Sequence, residues 1–585
     1  MVNLVNLESV SHAFGTRVLL DEVSLGVGAG EVIGVVGRNG DGKTTLLRIL
    51  TGDLVPDSGR VTASNSASIG VLAQHQVGTP GETIRQVVLD GAADHVYAAR
   101  ADRRKIVEAL LAGVDLDRPI ESLSGGERRR VGLVEVLLGD HGLIVLDEPT
   151  NHLDVEAIAF LASHLRSRTA AGLAMLVVSH DRWFLDAVCT RIWEVHDGLV
   201  DSYDGGYAAY VLTRVERQRQ AAATEARRKN LARKELAWLR RGAPARTSKP
   251  KFRIDAAEAL IGDVPPPRDR LALEKFAISR LGKDVLDLIN VSYAVGDRVL
   301  LDRLTWSIGP GDRIGLVGVN GAGKTTLLDL LAGLRDPQGG KIKRGITLRV
   351  GYLSQDVGEL DDDDRVLQSV TRLKQATKLA TGREASASNL LEEFGFTGDK
   401  LVARIGDLSG GERRRLQFLR LLLEEPNVLI LDEPTNDLDI DTLTVIEDYL
   451  DTWPGTLIVV SHDRYFLERV TDASWALLGD GSCVLLPGGV EEYLERRRKA
   501  EEAPDTSSHP TPKPRSNAAA ERARKKELAR LESQLTKVES EIERIHDAMA
   551  EAASDFEKLA SLDKDLKAAQ ARKDELEESW LLAAE

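Results

Sequence analysis

Cysteine is nearly absent: the 585 residues hold two, Cys189 and Cys483, far apart and in no paired spacing. A disulfide framework and a cysteine zinc site are both excluded. No run approaches about 18 apolar residues, so nothing reads as a membrane span. The opening MVNLVNLESV has no basic stretch leading into an apolar core, which argues against a secretory leader and makes the cytoplasm the expected location. Positive charge is short overall, with 77 Lys and Arg against 92 Asp and Glu, a net −15. That balance excludes broad coating of a nucleic acid, itself a polyanion. The shortage is uneven, however. Between Arg214 and Arg253, fourteen basic residues face three acids, a surplus of eleven charges that leaves the remainder at −26. One basic segment in an acidic chain points to one localised anionic partner.

What is present is a repeat. Gly37-Arg-Asn-Gly-Asp-Gly-Lys-Thr44 returns as Gly318-Val-Asn-Gly-Ala-Gly-Lys-Thr325. Leu123-Ser-Gly-Gly-Glu127, Leu146-Asp-Glu-Pro-Thr150 and Ser179-His-Asp-Arg182 return at 408–412, 431–435 and 461–464. The offsets are 281, 285, 285 and 282. Near-constant offsets in unchanged order mean two copies of one domain of roughly 200 residues. The length alone predicts about three to five domains.

Each motif implies a chemistry. The apolar run Val32–Val36 reads as a strand and the run from Thr45 as a helix. A glycine-rich loop between strand and helix lets backbone N–H groups approach phosphate. Gly37, Asn39, Gly40 and Gly42 shape that loop, with Lys43 for the β/γ-phosphates, Thr44 for Mg²⁺, and Thr45 beside it. Gly318, Asn320, Gly321, Gly323, Lys324, Thr325 and Thr326 repeat the set. Four apolar residues ending in Asp147-Glu148 read as a buried strand that delivers two carboxylates to its edge. Asp147 would organise Mg²⁺ and Glu148 would polarise the attacking water. Asp432 and Glu433 match them; the alternative is a solvated acidic strand end. Ser124-Gly125-Gly126 and Ser409-Gly410-Gly411 sit where a helix starts. Each is an anion site or, taken in isolation, an ordinary capping box with Glu at the fourth position.

Together these motifs resemble a tandem ATP-binding-cassette protein. The resemblance implies two cassettes that sandwich two ATP molecules head to tail, each phosphate loop meeting the other cassette's signature. One site would join Lys43, Thr44, Asp147, Glu148 and His180 to Ser409, Gly410 and Gly411. The second would join Lys324, Thr325, Asp432, Glu433 and His462 to Ser124, Gly125 and Gly126. Gln74 and Gln355 match the family's Mg²⁺-contacting glutamine. Asp154 and Asp439 match its aspartate after the catalytic glutamate, and His180 and His462 its γ-phosphate sensor. Phe14 sits where the family stacks adenine; the second copy has Val295 there, with Tyr293 two residues earlier. ATP and Mg²⁺ are the implied cofactors, and both sites are expected to hydrolyse.

Two cassettes with no membrane domain resemble the soluble ABC-F family. Residues 213–241 read as a long Arg-rich helix, broken at Gly242-Ala-Pro244 and followed by a return helix. Trp238-Leu-Arg-Arg-Gly242 and Ala245-Arg-Thr-Ser-Lys-Pro-Lys251 resemble that family's interdomain motif. The family inserts this segment at the ribosomal E site, against P-site tRNA and rRNA. Arg240, Arg241, Arg246, Lys249 and Lys251 near the turn suit phosphate contact. Trp238 either packs between the helices or stacks on a base. A solvated basic linker is the plain alternative.

Residues 503–516 are rich in Pro, Ser and Thr and read as a flexible linker. Leu528 to Met549 and Leu559 to Trp580 then follow heptad spacing, with a break near residues 550–554. An antiparallel coiled-coil hairpin fits, and a long dimerising helix is the alternative. Only about 50 residues separate Gln74 from Ser124, close to the 54 between Gln355 and Ser409. The extended arm of some family members is therefore not expected, and the chain looks most like the Uup-type branch.

The expected fold is α/β: two P-loop ATP-binding-cassette domains joined by an α-helical hairpin linker, with a C-terminal antiparallel coiled coil. Expected boundaries are 1–212 for the first cassette, 213–284 for the linker, 285–500 for the second cassette, 501–516 for the tether and 517–585 for the coiled coil. The expected activity is ATP hydrolysis by a monomer that binds the ribosome when its cassettes close and leaves on hydrolysis. The alternatives are a DNA-maintenance ATPase that uses the tail on nucleic acid, and a transporter motor. The basic linker argues against the last.

Overall fold

A computed structural model describes residues 3–64, 68–72, 81–89, 91, 101–217, 282, 285–296, 298–354, 360–373, 376–378, 384–436 and 438–502. The linker hairpin beyond residue 217 and the coiled-coil tail lie outside the described residues. So do Gln74, Gln355, Arg240, Arg241, Arg246, Lys249 and Lys251. Residues Met1–Glu501 form one compact unit.

Strands Asn3–Phe14 (β1), Arg17–Gly28 (β2) and Ser58–Ala63 (β4) make an antiparallel sheet in the order β2-β1-β4. Val32–Val36 (β3), Ile69–Leu72 (β5), Leu143–Asp147 (β6), Ala174–Val178 (β7), Arg191–His196 (β8) and Leu199–Asp204 (β9) form a second sheet, ordered β5-β6-β7-β3-β8-β9. All its pairings are parallel except β8 with β9.

The apolar strands β3, β6 and β7 are buried on both faces. Ile33, Val35, Leu143, Val145, Leu176 and Val178 pack with the antiparallel sheet and the helix Lys43–Thr51. The alternating Val32, Val36, Ile144, Leu146, Met175 and Val177 pack with the helices Gly125–Leu138 and Val155–Ala170. This two-sided burial explains why these strands read as unbroken apolar runs.

The second copy repeats the plan, with sheets β11-β10-β13 and β14-β17-β18-β12-β19-β20. Here Leu286–Val295 is β10, Arg298–Ile308 β11, Arg313–Gly318 β12, Gly339–Arg344 β13, Val350–Leu353 β14, Ala376–Lys378 β15 and Glu384–Ser386 β16. Val428–Asp432 is β17, Thr456–Val460 β18, Ala473–Leu477 β19 and Cys483–Leu486 β20.

The two cassettes exchange one apolar residue each. Val155, first in the helix Val155–Ala170, is 1% exposed and packs in the second cassette's core. Ile440, first in the helix Ile440–Asp451, is 7% exposed and packs in the first cassette's core. This reciprocal plug brings the carboxyl edges of β6 and β17 against the opposite cassette.

Candidate functional sites

Both phosphate loops run from a strand end into a helix whose N-cap is a left-handed glycine, Gly42 (φ 100°) or Gly323 (φ 98°). Glycine is required again at Gly37 and Gly318, where φ is 150° and 155°. A Cβ at Gly37 would lie 2.4 Å from the Val195 carbonyl oxygen, and one at Gly318 2.6 Å from that of Leu477. The backbone therefore passes its neighbour closer than any side chain permits. Lys43 Nζ donates to the Gly37 and Arg38 carbonyls at 2.7 and 3.0 Å. Lys324 Nζ does the same to Gly318 and Val319 at 2.6 and 3.2 Å.

The carboxylates arrive as the strand pattern requires. Thr44 Oγ1 donates to Asp147 Oδ2 at 3.1 Å, and Thr325 Oγ1 to Asp432 Oδ2 at 2.8 Å. Each pair puts hard oxygen donors beside the phosphate loop, a donor set that suits Mg²⁺. Glu148 and Glu433 are held at φ 51° and 47°, a left-handed backbone unusual for glutamate. Such strain persists only where surrounding contacts impose it. The contacts here are the Glu148 N–H on Val178 O at 2.8 Å and the Glu433 N–H on Val460 O at 2.9 Å. The turn aims each carboxylate at a histidine. His180 Nε2 lies 3.3 Å from Glu148 Oε1, and His462 Nε2 lies 3.3 Å from Glu433 Oε1.

Burial dominates the electrostatics. It pushes Glu148 and Glu433 up to about 8, against the pull of Lys43 and Lys324. It drives His180 down to about 3, helped by the Lys43 charge, and holds His462 well below its ordinary range. Both imidazoles are therefore neutral. Lys43 and Lys324 are also lowered by burial, opposed first by Glu148 and Glu433.

The signature turns close the sites from across the interface. Ser124 and Ser409 are N-caps of complete capping boxes with Glu127 and Glu412. The capping reading and the anion-site reading hold together, because the box orders the turn that faces the opposite phosphate loop. A cleft of about 490 Å³ is lined by Asn39, Gly40, Gly42, Lys43, Thr44, Thr45, Asp147, Glu148 and His180 together with Ser409, Gly410 and Gly411. Another of about 470 Å³ joins Asn320, Gly321, Gly323, Lys324, Thr325, Thr326, Asp432, Glu433 and His462 to Ser124 and Gly126. Asp439 Oδ2 accepts from the Asn39 N–H at 3.4 Å and Asp154 Oδ2 from the Asn320 N–H at 3.1 Å.

Phe14 is 80% exposed at the end of β1, and Val295 is exposed as well. The Tyr293 hydroxyl instead accepts from Arg335 Nη1 at 3.4 Å. Several side chains that build these sites are not among the expected site residues. Arg129 and Arg414 donate from the signature helices to the carbonyls of Asp147 and Asp432. Arg182 crosses the interface to Glu447 and, at 3.1 Å, to Asp463. Arg182 and Asp463 belong to the repeated Ser-His-Asp-Arg motif, the one signal in the sequence that points to them.

A phosphate loop facing a signature turn of the opposite cassette, twice in one chain, defines a tandem ATP-binding-cassette ATPase. The profile of the family described as ABC transporter matches residues 20–151 and 301–436. A further ABC transporter profile matches 193–275, and one for an ABC transporter C-terminal domain matches 519–585. The uncharacterized ABC transporter ATP-binding protein YfmR of Bacillus subtilis (strain 168) is 37% identical, over 96% of this chain and 95% of its own length. The energy-dependent translational throttle protein EttA of Escherichia coli (strain K12) is 35% identical, over 83% of this chain and 93% of its own. Among solved structures, the archaeal ribosome recycling factor aABCE1, in complex with ribosomal stalk protein aP1, matches 84% of this chain and 92% of its own at TM-score 0.61 and 22% identity. The RNase-L Inhibitor matches 84% and 99% at TM-score 0.57 and 21% identity. These two share the fold. The chain belongs to the ABC-F family of ATP-binding-cassette proteins and hydrolyses ATP. No helix among the described residues is long and apolar enough to cross a membrane.

Proposed function

We propose that the chain is a cytoplasmic ATPase acting on the ribosome, where its basic linker enters near the E site and contacts P-site tRNA and rRNA. The observation that carries this reading is the surplus of eleven positive charges over residues 214–253, in a chain whose relative is named a translational throttle protein. The expected domain boundaries and the Uup-type branch belong to the same reading. Pairing of both cassettes within one chain supports a monomer.

In the proposed reaction, the phosphate-loop N–H groups and Lys43 or Lys324 bind the β/γ-phosphates, and the opposite serine and glycines bind the γ-phosphate from the other side. Thr44 with Asp147, and Thr325 with Asp432, would hold Mg²⁺; the ion, when bound, neutralises charge developing on the phosphate oxygens. Glu148 and Glu433 position the attacking water. Neutral His180 and His462 orient those carboxylates and sense the γ-phosphate. A γ-phosphate bridging loop and signature holds the cassettes closed, and its hydrolysis releases them. The linker leaves the first cassette, so closure would present it to the ribosome and hydrolysis would withdraw it.

Sucrose-gradient sedimentation of the Glu148→Gln, Glu433→Gln double variant with ATP tests this. Co-migration with ribosomes is expected. Recovery only with DNA or membranes would replace this reading with the DNA-maintenance or transporter alternative.

A further inference from the structure

The first turn of the helix Ile440–Asp451 does three things within three residues. Asp439 accepts from the Asn39 N–H in the first phosphate loop. Ile440 plugs the first cassette's core. Asp441 meets the chain that leads into the linker. Arg214 Nη1 donates to Asp441 Oδ1 at 2.8 Å and Nη2 to Oδ2 at 3.3 Å, a two-pronged fork. Arg38 Nε of the same phosphate loop donates to Oδ2 at 3.1 Å. Burial alone would raise the Asp441 carboxyl, but the Arg214 and Arg38 guanidiniums outweigh it and hold it below the ordinary range.

Arg214 is anchored in its own cassette, with Nε 2.9 Å from Glu194 Oε1 in β8. It lies in the helical segment 207–217, where none of residues 211–217 is buried and Leu212 and Val215 are 73% and 56% exposed. Past Tyr210 the segment stays on its own cassette through Val211, partly buried against the core, and through Arg217, which lies over the Tyr203 ring and 3.3 Å from Asp201. The ion pair with Asp441 adds a tie to the second cassette at the point where the chain leaves toward the linker.

The repeat builds the same device once more. Glu156, in the first turn after Asp154 and Val155, accepts from Arg497 Nε at 2.7 Å and Nη2 at 3.3 Å, and from the Tyr493 hydroxyl at 2.6 Å. Arg497 belongs to the last described helix, Gly489–Glu502, which leads toward the tail. The counterpart of Arg38 is Val319, so Glu156 has no matching arginine in the phosphate loop.

We propose that Arg214 and Arg497 are positioning residues that tie the exits of the linker and the tail to the nucleotide state of the facing site. The proposal rests on the reading that ATP closes the cassettes. Asp441 rides on the same helical turn as Asp439. An opening that parts Asp439 from Asn39 therefore also parts Asp441 from Arg214, and the linker root loses its tie to the second cassette as site one opens while it stays on the first. Arg497 and Glu156 do the same for the tail at site two.

Hydrogen exchange on the full chain tests this, in the Glu148→Gln, Glu433→Gln background, with and without ATP. In that reference, ATP should slow exchange at residues 37–45, at both signature turns, and at 207–217. Arg214→Ala should remove about fivefold of the ATP-induced slowing at 207–217, the scale of one well-made ion pair. Residues 37–45 and the signature turns should keep theirs. Arg214→Lys, which keeps the charge without the fork, should lose less. Arg497→Ala should affect 489–500 and leave 207–217 unchanged. The coupling is overturned if the signature turns respond to ATP while 207–217 responds equally with and without Arg214, or if Arg497→Ala loosens both roots alike. Absence of ATP-induced slowing at the signature turns of the reference would overturn the closure reading itself, and the coupling with it.

Discussion

Glu148 and Glu433 combine a left-handed backbone, deep burial and a neutral histidine neighbour. A carboxyl held this way is committed to one geometry, so replacing it by glutamine keeps the shape and removes the oxygen that can exchange a proton with the attacking water. The double Glu148→Gln, Glu433→Gln variant is expected to bind ATP and retain it while turnover falls at least about a hundredfold, read as phosphate release against retained nucleotide. Unchanged steady-state hydrolysis would sink the catalytic assignment. Asp181, beside His180 in the lining of the second cleft, gives a pH test read through stability and not turnover. Burial first, and the Asp463 charge second, push it up to about 7. The native state thus keeps a proton that the unfolded chain gives up near pH 4. Stability is fully present below about pH 4 and lost as pH rises to about 7, at no more than about 1.4 kcal/mol per pH unit. Asp181 Oδ1 also accepts from the Phe184 N–H at 2.9 Å, a cap that asparagine preserves. Asp181→Asn should therefore flatten the urea midpoint against pH across that window; an unaltered slope would remove Asp181 as its source.

Elements carry the interface. The helices Val155–Ala170 and Ile440–Asp451 each present an apolar first residue to the other cassette, flanked by acids that face the phosphate loop and the chain exit. Ile440→Ala should cost the closed form about 2 kcal/mol. In the glutamine double variant that is roughly thirtyfold faster loss of trapped nucleotide, read by filter binding. The helix Arg182–Val188 carries the second cross-link. Glu447 is fully buried and receives Arg182 from the first cassette and Arg469 from its own. Glu447→Ala leaves a buried guanidinium short of its acid and should destabilise by about 3–5 kcal/mol, measured as a fall in the denaturation midpoint. The repeat explains why this is one-sided: the position matching Glu447 in the first cassette is Ala162. The matching Arg464 instead lies over the Trp183 ring at 3.5 Å, with its Nη2 buried and unpaired.

For the molecule as a whole, charge is divided between acidic cassettes and a basic linker. Reversing Arg240, Arg241 and Arg246 to glutamate should weaken ribosome binding and lower its salt dependence. The log–log slope should fall by roughly 0.7–0.9 for each phosphate no longer neutralised. The cassettes should still fold and hydrolyse ATP. Equal ribosome binding by the reversed variant, measured by sedimentation across a salt series, would end the linker's proposed role.

Two cassettes, and the inner half of each site, are legible without any fold. Phosphate loops, capping boxes and carboxylate-ending strands are made by consecutive residues, so spacing alone exposes them. The basic surplus is legible too, since charge needs no fold to be counted. Which residues meet across the interface is settled only when the chain is folded. Arg182 with Glu447, Arg214 with Asp441, and the Val155 and Ile440 plugs join positions hundreds of residues apart. Each of those side chains has an ordinary local explanation: a helix-start acid, a surface arginine, an apolar first turn. Local chemistry is written in neighbours along the chain, whereas the partner of a charge or a plug is set by where the sheets carry it.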